Sequence, residues 1–394
     1  MSLAFYLKYY FYYLEAEYEA ASAVIKVTVL LATFLMVVFI FSIVHIIVLN
    51  LTYLRKKRIK EQFMSFYREK LHEILINPQQ LSEIAITDLL RNSRISYGKK
   101  NKNLYTECLI ELISQIKNAG KTINSKNLLM VMNHLQLPNY WQAALLKGRL
   151  LKRKEALRKM DQLEQLLSGS LLLHSVYHRN KDFRKQSRAA FIEYDKNNPY
   201  TFFEENFDKD FNALDELRVH HYLTKKAATH ELPDLSRWVE NATLIDFKRF
   251  IIQEIGLFRQ YNCGDFLIQI LPTEANTHIQ KQIIETLGVL DYKAADRTLI
   301  AMYSSSLALL QKAIINTLSK LKTERTLAFL GESYQQSHDN SIKIQLAYAL
   351  TDYGFEGQLK MESLSEVNSP FDSEILAEVR FSHSQNTCQT LVPN

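Results

Sequence analysis

His174 and His178 stand four residues apart in a stretch of helical character, the spacing at which two rings on one helix face can share a metal ion. No acidic third ligand falls at helical spacing beside them, so a packed or surface pair accounts better for the same residues. His220 and His221, close behind Asp215 and Glu216, read as a solvated helix face. The basic run from Lys147 to Lys159, KGRLLKRKEALRK, is dense enough to contact phosphates and makes nucleic-acid binding the alternative function. Its charges, however, share a helix with Leu150, Leu151, Ala156 and Leu157, and the distal half of the chain is acidic and repels a long polyanion. No phosphate loop, dinucleotide glycine fingerprint, G-x-S-x-G elbow or H-E-x-x-H occurs. The three cysteines, Cys108, Cys263 and Cys388, are far apart and in no C-x-x-C pattern, which predicts neither a zinc site nor a disulfide framework and fits a reducing cytoplasm. The expectation is a binding protein, with no catalytic constellation and no cofactor.

A different chemistry is concentrated at Arg55, Lys56, Lys57, Arg58 and Lys60. These cations follow Val27 to Leu49, 23 positions without one Asp, Glu, Lys or Arg. At about 1.5 Å per residue the run covers roughly 34 Å, enough to cross a hydrocarbon core of about 30 Å. A cleaved signal peptide competes with this reading, but it wants a basic start and a shorter apolar stretch. Here Glu15, Glu17 and Glu19 precede the run, against Lys8 and Lys26. The basic flank places the C-terminal side in the cytoplasm and the N-terminus outside, as in a single-pass protein of the inner (cytoplasmic) membrane. Arg55 to Lys60 would then meet an anionic lipid surface. The first 18 residues hold Phe5, Tyr6, Tyr9, Tyr10, Phe11, Tyr12, Tyr13 and Tyr18, which suit the headgroup level or a partner's membrane segment. His45, inside the run near its cytoplasmic end, either faces protein or water or sits at the interface.

Charge is partitioned along the chain. Residues 27–190 carry 27 Lys and Arg against 11 Asp and Glu, whereas residues 191–394 carry 19 against 28. A basic half beside the bilayer and an acidic half beyond it is the simplest arrangement. Only ten Gly and seven Pro occur in the chain, and Leu, Ile, Ala, Lys, Gln and Glu dominate, so an all-α fold is expected.

Periodicity fixes the distal half. Ile251-Ile252-Gln253-Glu254-Ile255-Gly256-Leu257-Phe258 matches Ile283-Ile284-Glu285-Thr286-Leu287-Gly288-Val289-Leu290 at a shift of 32. The block from Ile314 to Leu321 follows at 31, with Ser319 in the glycine position, and the block from Leu346 to Tyr353 at 32. Between them, Phe266 to Leu271 aligns with Thr298 to Tyr303. Each block has its apolar residues on one helix face. Two short helices per unit cannot bury those faces alone, but stacked units can, giving an α-solenoid. Gly256, Gly288 and Ser319 would allow close approach of the next helix.

The pattern resembles HEAT-type repeats, particularly the short bacterial HEAT-like units first named from phycobilisome lyases. The resemblance covers about Phe250 to Tyr353. Candidate earlier units are Arg153 to Met160 and Arg184 to Ile192, each with a basic-small-apolar start, and Asn197 to Tyr200 reads as a turn. Asp234 would cap a helix beginning near Leu235. Similarity to membrane-anchored HEAT-like proteins of bacteria implies an adaptor for protein partners in an envelope, polysaccharide-synthesis or secretion assembly. The expected docking face is the second helix of each unit, around Phe266, Leu299 and Arg325.

The expected layout is therefore an aromatic-rich extracytoplasmic segment over 1–26, a transmembrane helix over 27–51 and a basic juxtamembrane helical region over 52–145. A HEAT-like solenoid over 146–360 and a cap and tail over 361–394 complete it. Helices are expected at 58–77, 80–92, 105–118, 124–135 and 139–165, with an exposed linker at Ser96 to Asn103. The first of these either continues the membrane helix, lies in the interface, or packs in a core through Phe63, Phe66, Tyr67, Leu71, Ile74 and Leu75, the last being the stronger reading.

Overall fold

The computed structural model describes residues 3–90 and 101–365, together with 374–375, 377–379 and 381. All regular structure among them is helical, and the chain divides into two compact units, Met1–Leu166 and Leu167–Asn394. Residues 96–100 of the expected linker, Cys388 and most of the expected tail lie outside the described residues.

In the first unit, α1 (Leu3–Ala20) is followed by α2 (Ala23–Ile76), an unbroken helix of 54 residues, about 80 Å long. α2 changes character along its length. From Val24 to Leu54 its apolar side chains are exposed, and its most hydropathic window is 0% buried. From Phe63 it buries Phe63, Tyr67, Leu71, Ile74 and Leu75, one stripe at helical spacing. The segment expected at 58–77 thus both continues the apolar helix and packs in a core. Its partners are α3 (Glu83–Leu90), α4 (Lys102–Asn118) and α5 (Ser125–His134). The Phe63 and Tyr105 rings stack at 4.7 Å, and the Tyr67 hydroxyl donates to the Leu90 carbonyl at 2.9 Å.

α2 stops where Pro78 disfavours helical backbone at Asn77. The carbonyls left over there are met by buried Asn127, whose Nδ2 donates to Ile74 O at 3.0 Å, Asn77 O at 3.3 Å and Gln79 O at 3.0 Å. The helix expected over 139–165 is in fact two, α6 (Leu137–Lys147) and α7 (Leu150–Leu163). Gly148 separates them in extended backbone, where a Cβ would meet the Ala144 carbonyl oxygen at 2.3 Å. Lys102 and Asn103 are helical rather than linker, and buried Lys102 donates to the Gln136 Oε1 at 3.0 Å.

The second unit holds α8 (Gly169–Val176), α9 (Lys181–Tyr194), a 3-10 turn at Thr201–Phe203 and α10 (Ala213–Ala227). From there short and longer helices alternate: α11 (Ser236–Asn241), α12 (Ile245–Leu257), α13 (Gly264–Ile270), α14 (Thr277–Val289), α15 (Asp296–Tyr303) and α16 (Ala308–Leu321). α17 (Glu324–Gln336), α18 (Asn340–Thr351) and α19 (Phe355–Ser365) follow. The solenoid expected from residue 146 begins inside the first unit, since α7 and its Arg153 to Met160 block belong there. The N-cap of α11 is Leu235 rather than the expected Asp234, which lies one residue earlier and whose Oδ1 accepts from the Ser236 backbone N–H at 2.9 Å.

Candidate functional site

The repeat register becomes geometry in α12, α14, α16 and α18, which pack side by side in chain order. Thr286 Oγ1 donates to Ile252 O at 3.1 Å, and one unit later Thr317 Oγ1 donates to Ile284 O at 3.0 Å. Each threonine also explains a glycine. A Cβ on Gly256 would lie 3.2 Å from Thr286 Cγ2, and one on Gly288 3.1 Å from Thr317 Oγ1. In the same register Ser319 replaces glycine and Ala349 replaces threonine, so bulk moves across the interface while the spacing is kept.

Two further ladders keep the interval. Left-handed backbone recurs at Arg259 (φ 51), Asp291 (φ 51), Lys322 (φ 47) and Gly354 (φ 66), closing each long helix. Asp234, Asp265 and Asp296 each accept from the next inter-helix segment. Asn262 Nδ2 reaches Asp234 at 3.0 Å, the Tyr292 hydroxyl reaches Asp265 at 2.8 Å, and Thr323 Oγ1 and Arg325 Nη1 both reach Asp296 at 3.1 Å.

These ladders decide the fate of the expected docking residues. Phe266, Leu299 and Arg325 sit on α13, α15 and α17, the first helix of each pair rather than the second. Leu299 is fully buried and holds the pair together, so it is not a docking residue. Phe266 is half-buried, and Arg325 is exposed but bound to Asp296 as part of the aspartate ladder. The surface in register lies on the longer helices. Gln253, Glu285, Asn316 and Tyr348 form one row, each half-buried or exposed. Arg249, Lys281 and Lys312 form the row beside it, continued upstream by Arg218. The signal for both rows was already present, since they occupy one position of each 31–32-residue unit.

Near the apolar helix, Arg55, Lys56 and Arg58 are exposed. Lys57 lies 3.9 Å from Glu61, and Lys60 is held at 2.7 Å by Glu111 of α4. The Glu111 hydrogen bond pushes the Lys60 ammonium pKa up and commits this lysine to the fold.

Other reactive side chains are structural. α8 ends at Val176, so His178 leaves the helix and its Nδ1 accepts from the Asn180 N–H at 2.9 Å; it does not share a helix face with His174. His220 turns away from the acids on its own helix to Glu254 of α12, with 2.9 Å between Nδ1 and Oε2. The basic residues of the block from Arg184 are consumed internally. Arg184 forks onto Asp208 with two bonds of 2.8 Å, Lys185 meets buried Asp215 at 2.5 Å, and Arg188 donates to Phe207 O at 2.5 Å over the Phe202 ring. In the run 147–159, Lys152 lies over Trp141 at 4.8 Å, Arg153 donates to Gly148 O, and buried Lys159 pairs with Glu107 at 3.5 Å. These three of the seven cations in the run are thus engaged within their own unit. Burial pushes the Cys108 thiol up to about 11, and burial together with a hydrogen bond to Asp234 pushes Cys263 up to about 12, so neither is a nucleophile. Among the described residues no group of three His, Cys, Asp or Glu is placed to hold a metal ion.

Residues 264–351, α13 through α18, match the family of HEAT repeats. The chain therefore carries HEAT-like repeats, and such repeats serve in general as scaffolds for protein interaction. No curated protein matches the chain.

Proposed function

We propose that the chain is a membrane-held scaffold, with α2 spanning a bilayer, its N-terminus outside, and the repeat unit docking a protein partner in the cytoplasm. One observation carries the membrane reading: α2 exposes apolar side chains on every face up to Leu54 and then runs without a break into the core of its own unit. A helix bare on all sides finds no favourable surroundings in water. Its continuation into a buried stripe also ties it to the folded domain, unlike a leader that is removed. The basic flank supports the orientation.

The rows Gln253, Glu285, Asn316, Tyr348 and Arg249, Lys281, Lys312 offer the docking surface. Arg249 pairs with Glu216 at 3.0 Å and Lys281 with Glu285 at 3.4 Å, so the rows present matched polar groups of both signs to a partner. Two experiments test the reading. A C-terminal alkaline phosphatase fusion should be inactive and an N-terminal one active; the reverse would sink the orientation. A photocrosslinker at position 285 or 316 should capture a defined protein in native membranes. Capture only through α2, never through the repeat rows, would overturn the scaffold.

A further inference from the structure

We propose that the groove between α2 and α4 seats the phosphate headgroup of an anionic glycerophospholipid, an inference that rests on α2 spanning the membrane. A cleft of about 600 Å³ runs between the two helices. Tyr53, Lys56, Lys57 and Lys60 line its end nearer the apolar run, and Glu107 and Glu111 of α4 face them.

Depth is the first argument. The exposed apolar surface of α2 ends at Leu54. At a rise of about 1.5 Å per residue, Lys56 follows by about 3 Å and Lys60 by about 9 Å. The headgroup layer on each side of a bilayer is about 5–7 Å thick. Lys56 and Lys57 therefore stand at the level of lipid phosphates with Lys60 just beyond it, and acyl chains can run back along exposed Ile46 and Leu49, which share the groove's side of the helix.

Direction is the second argument. At about 100° per residue, Tyr53, Lys56, Lys57 and Lys60 share one third of the helix circumference, while Arg55 points to the opposite side and Arg58 well outside that sector. Arg55 and Arg58 meet the leaflet generally; the other four converge on the groove.

Charge is the third. The carboxylates of the cleft already have cations: Glu111 has Lys60 at 2.7 Å, Glu107 has Lys159 at 3.5 Å, and Glu61 has Lys57 at 3.9 Å. Lys56 has no ion pair among the described residues. The Lys57–Glu61 contact is long and exposed on both sides, so it is worth little and yields readily to a phosphate. A phosphate diester can accept from the Lys56 and Lys57 ammonium groups and the Tyr53 hydroxyl, with Lys60 adding fixed positive charge behind them.

The test is native mass spectrometry of the full chain in detergent, titrated with phosphatidylglycerol, phosphatidylcholine or inorganic phosphate. The wild type should retain one phosphatidylglycerol at least tenfold more tightly than phosphatidylcholine. The Lys56→Gln, Lys57→Gln pair should lose about thirtyfold of that affinity, at about 1 kcal/mol per lysine. The Arg55→Gln, Arg58→Gln pair should stay within about twofold, both variants melting with the wild type. Equal binding of the two lipids, or equal loss in the two pairs, would overturn the site. So would displacement of the lipid by inorganic phosphate at the lipid's own concentration. Alkaline carbonate extraction of membranes checks the span separately, because release of the chain would refute the membrane reading while the detergent titration still decides the groove.

Discussion

The methyl group of Thr286 lies 3.2 Å from the point at which a Cβ on Gly256 would project, while the hydroxyl of the same threonine donates to Ile252 O at 3.1 Å. The hydrogen bond pins the threonine across the α12–α14 interface, so it cannot retreat from added bulk. Ala in place of Gly would gain up to about 1 kcal/mol of helix propensity, but overpacking a fixed interface costs about 1–3 kcal/mol. Gly256→Ala should therefore destabilise by about 1 kcal/mol in urea unfolding. Gly288→Ala should cost more, because three atoms of Thr317 crowd its Cβ between 3.1 and 3.4 Å. Thr286→Ser removes the offending methyl and should rescue Gly256→Ala; additive losses in the double mutant would disprove the coupling.

Left-handed backbone at Arg259 and Lys322 carries a conformational cost of about 1–2 kcal/mol in an L residue. Glycine removes it and gives back about 0.5–1 kcal/mol through its freer unfolded chain. Arg259→Gly and Lys322→Gly should each stabilise by about 0.5–1 kcal/mol, and Asp291→Gly by less, since aspartate tolerates this conformation better. Gly354→Ala should destabilise by about 1 kcal/mol, with no steric contribution, as nothing lies within 4 Å of its Cβ position. A shift of opposite sign in the urea midpoint at Arg259 or Lys322 would mean that the side chain, not the turn, holds the helix end.

Lys185 and Asp215 are both nearly inaccessible and 2.5 Å apart. Removing one partner leaves the other with only a longer contact to a more exposed group, Asp210 at 3.3 Å for Lys185 or Arg218 at 3.5 Å for Asp215, so the cost approaches the about 3–5 kcal/mol of breaking a buried pair. Lys185→Met or Asp215→Leu alone should therefore unfold at much lower urea, whereas the double replacement should recover most of the loss. A double mutant as weak as either single would show that Asp215 matters mainly through its other partners, the backbone N–H of Asn212 at 3.1 Å and Arg218 at 3.5 Å.

The helices and their repeat were legible because both rest on local spacing: the blocks at Ile251, Ile283, Ile314 and Leu346 all lie in α12, α14, α16 and α18. The role of Gly256 and Gly288 was legible for the same reason, although the threonine that demands each glycine was not, since that contact spans two units. Leu299 was misjudged as surface on a different point. An apolar periodic position such as Leu299 marks what the helix buries against its own pair, so sequence patterning picks out the core and not the surface. Arg325 looked available because its partner, Asp296, is 29 residues away and only the solenoid geometry brings them to 3.1 Å. Gly148 broke a helix that the amphipathic pattern ran through, because the pattern of the flanking segments stays in phase across it.

Glu254 stands where Thr286 and Thr317 stand in the next two units, yet it is a carboxyl with 1% of its surface exposed. Burial pushes its pKa above the ordinary 4.5, against the lowering effect of the His220 hydrogen bond. A carboxyl raised on folding favours the native state below its unfolded pKa, and that contribution is lost as pH rises through the folded value. Glu254→Gln keeps an acceptor for the His220 N–H and removes the charge that burial penalises. The variant should be more stable than the wild type at about pH 8, with the advantage shrinking as pH falls toward 4.5. Urea midpoints across that range at constant ionic strength measure it. A variant weaker than the wild type at high pH, by an amount that does not change with pH, would mean that the ionised carboxylate and His220 stabilise each other by more than burial costs.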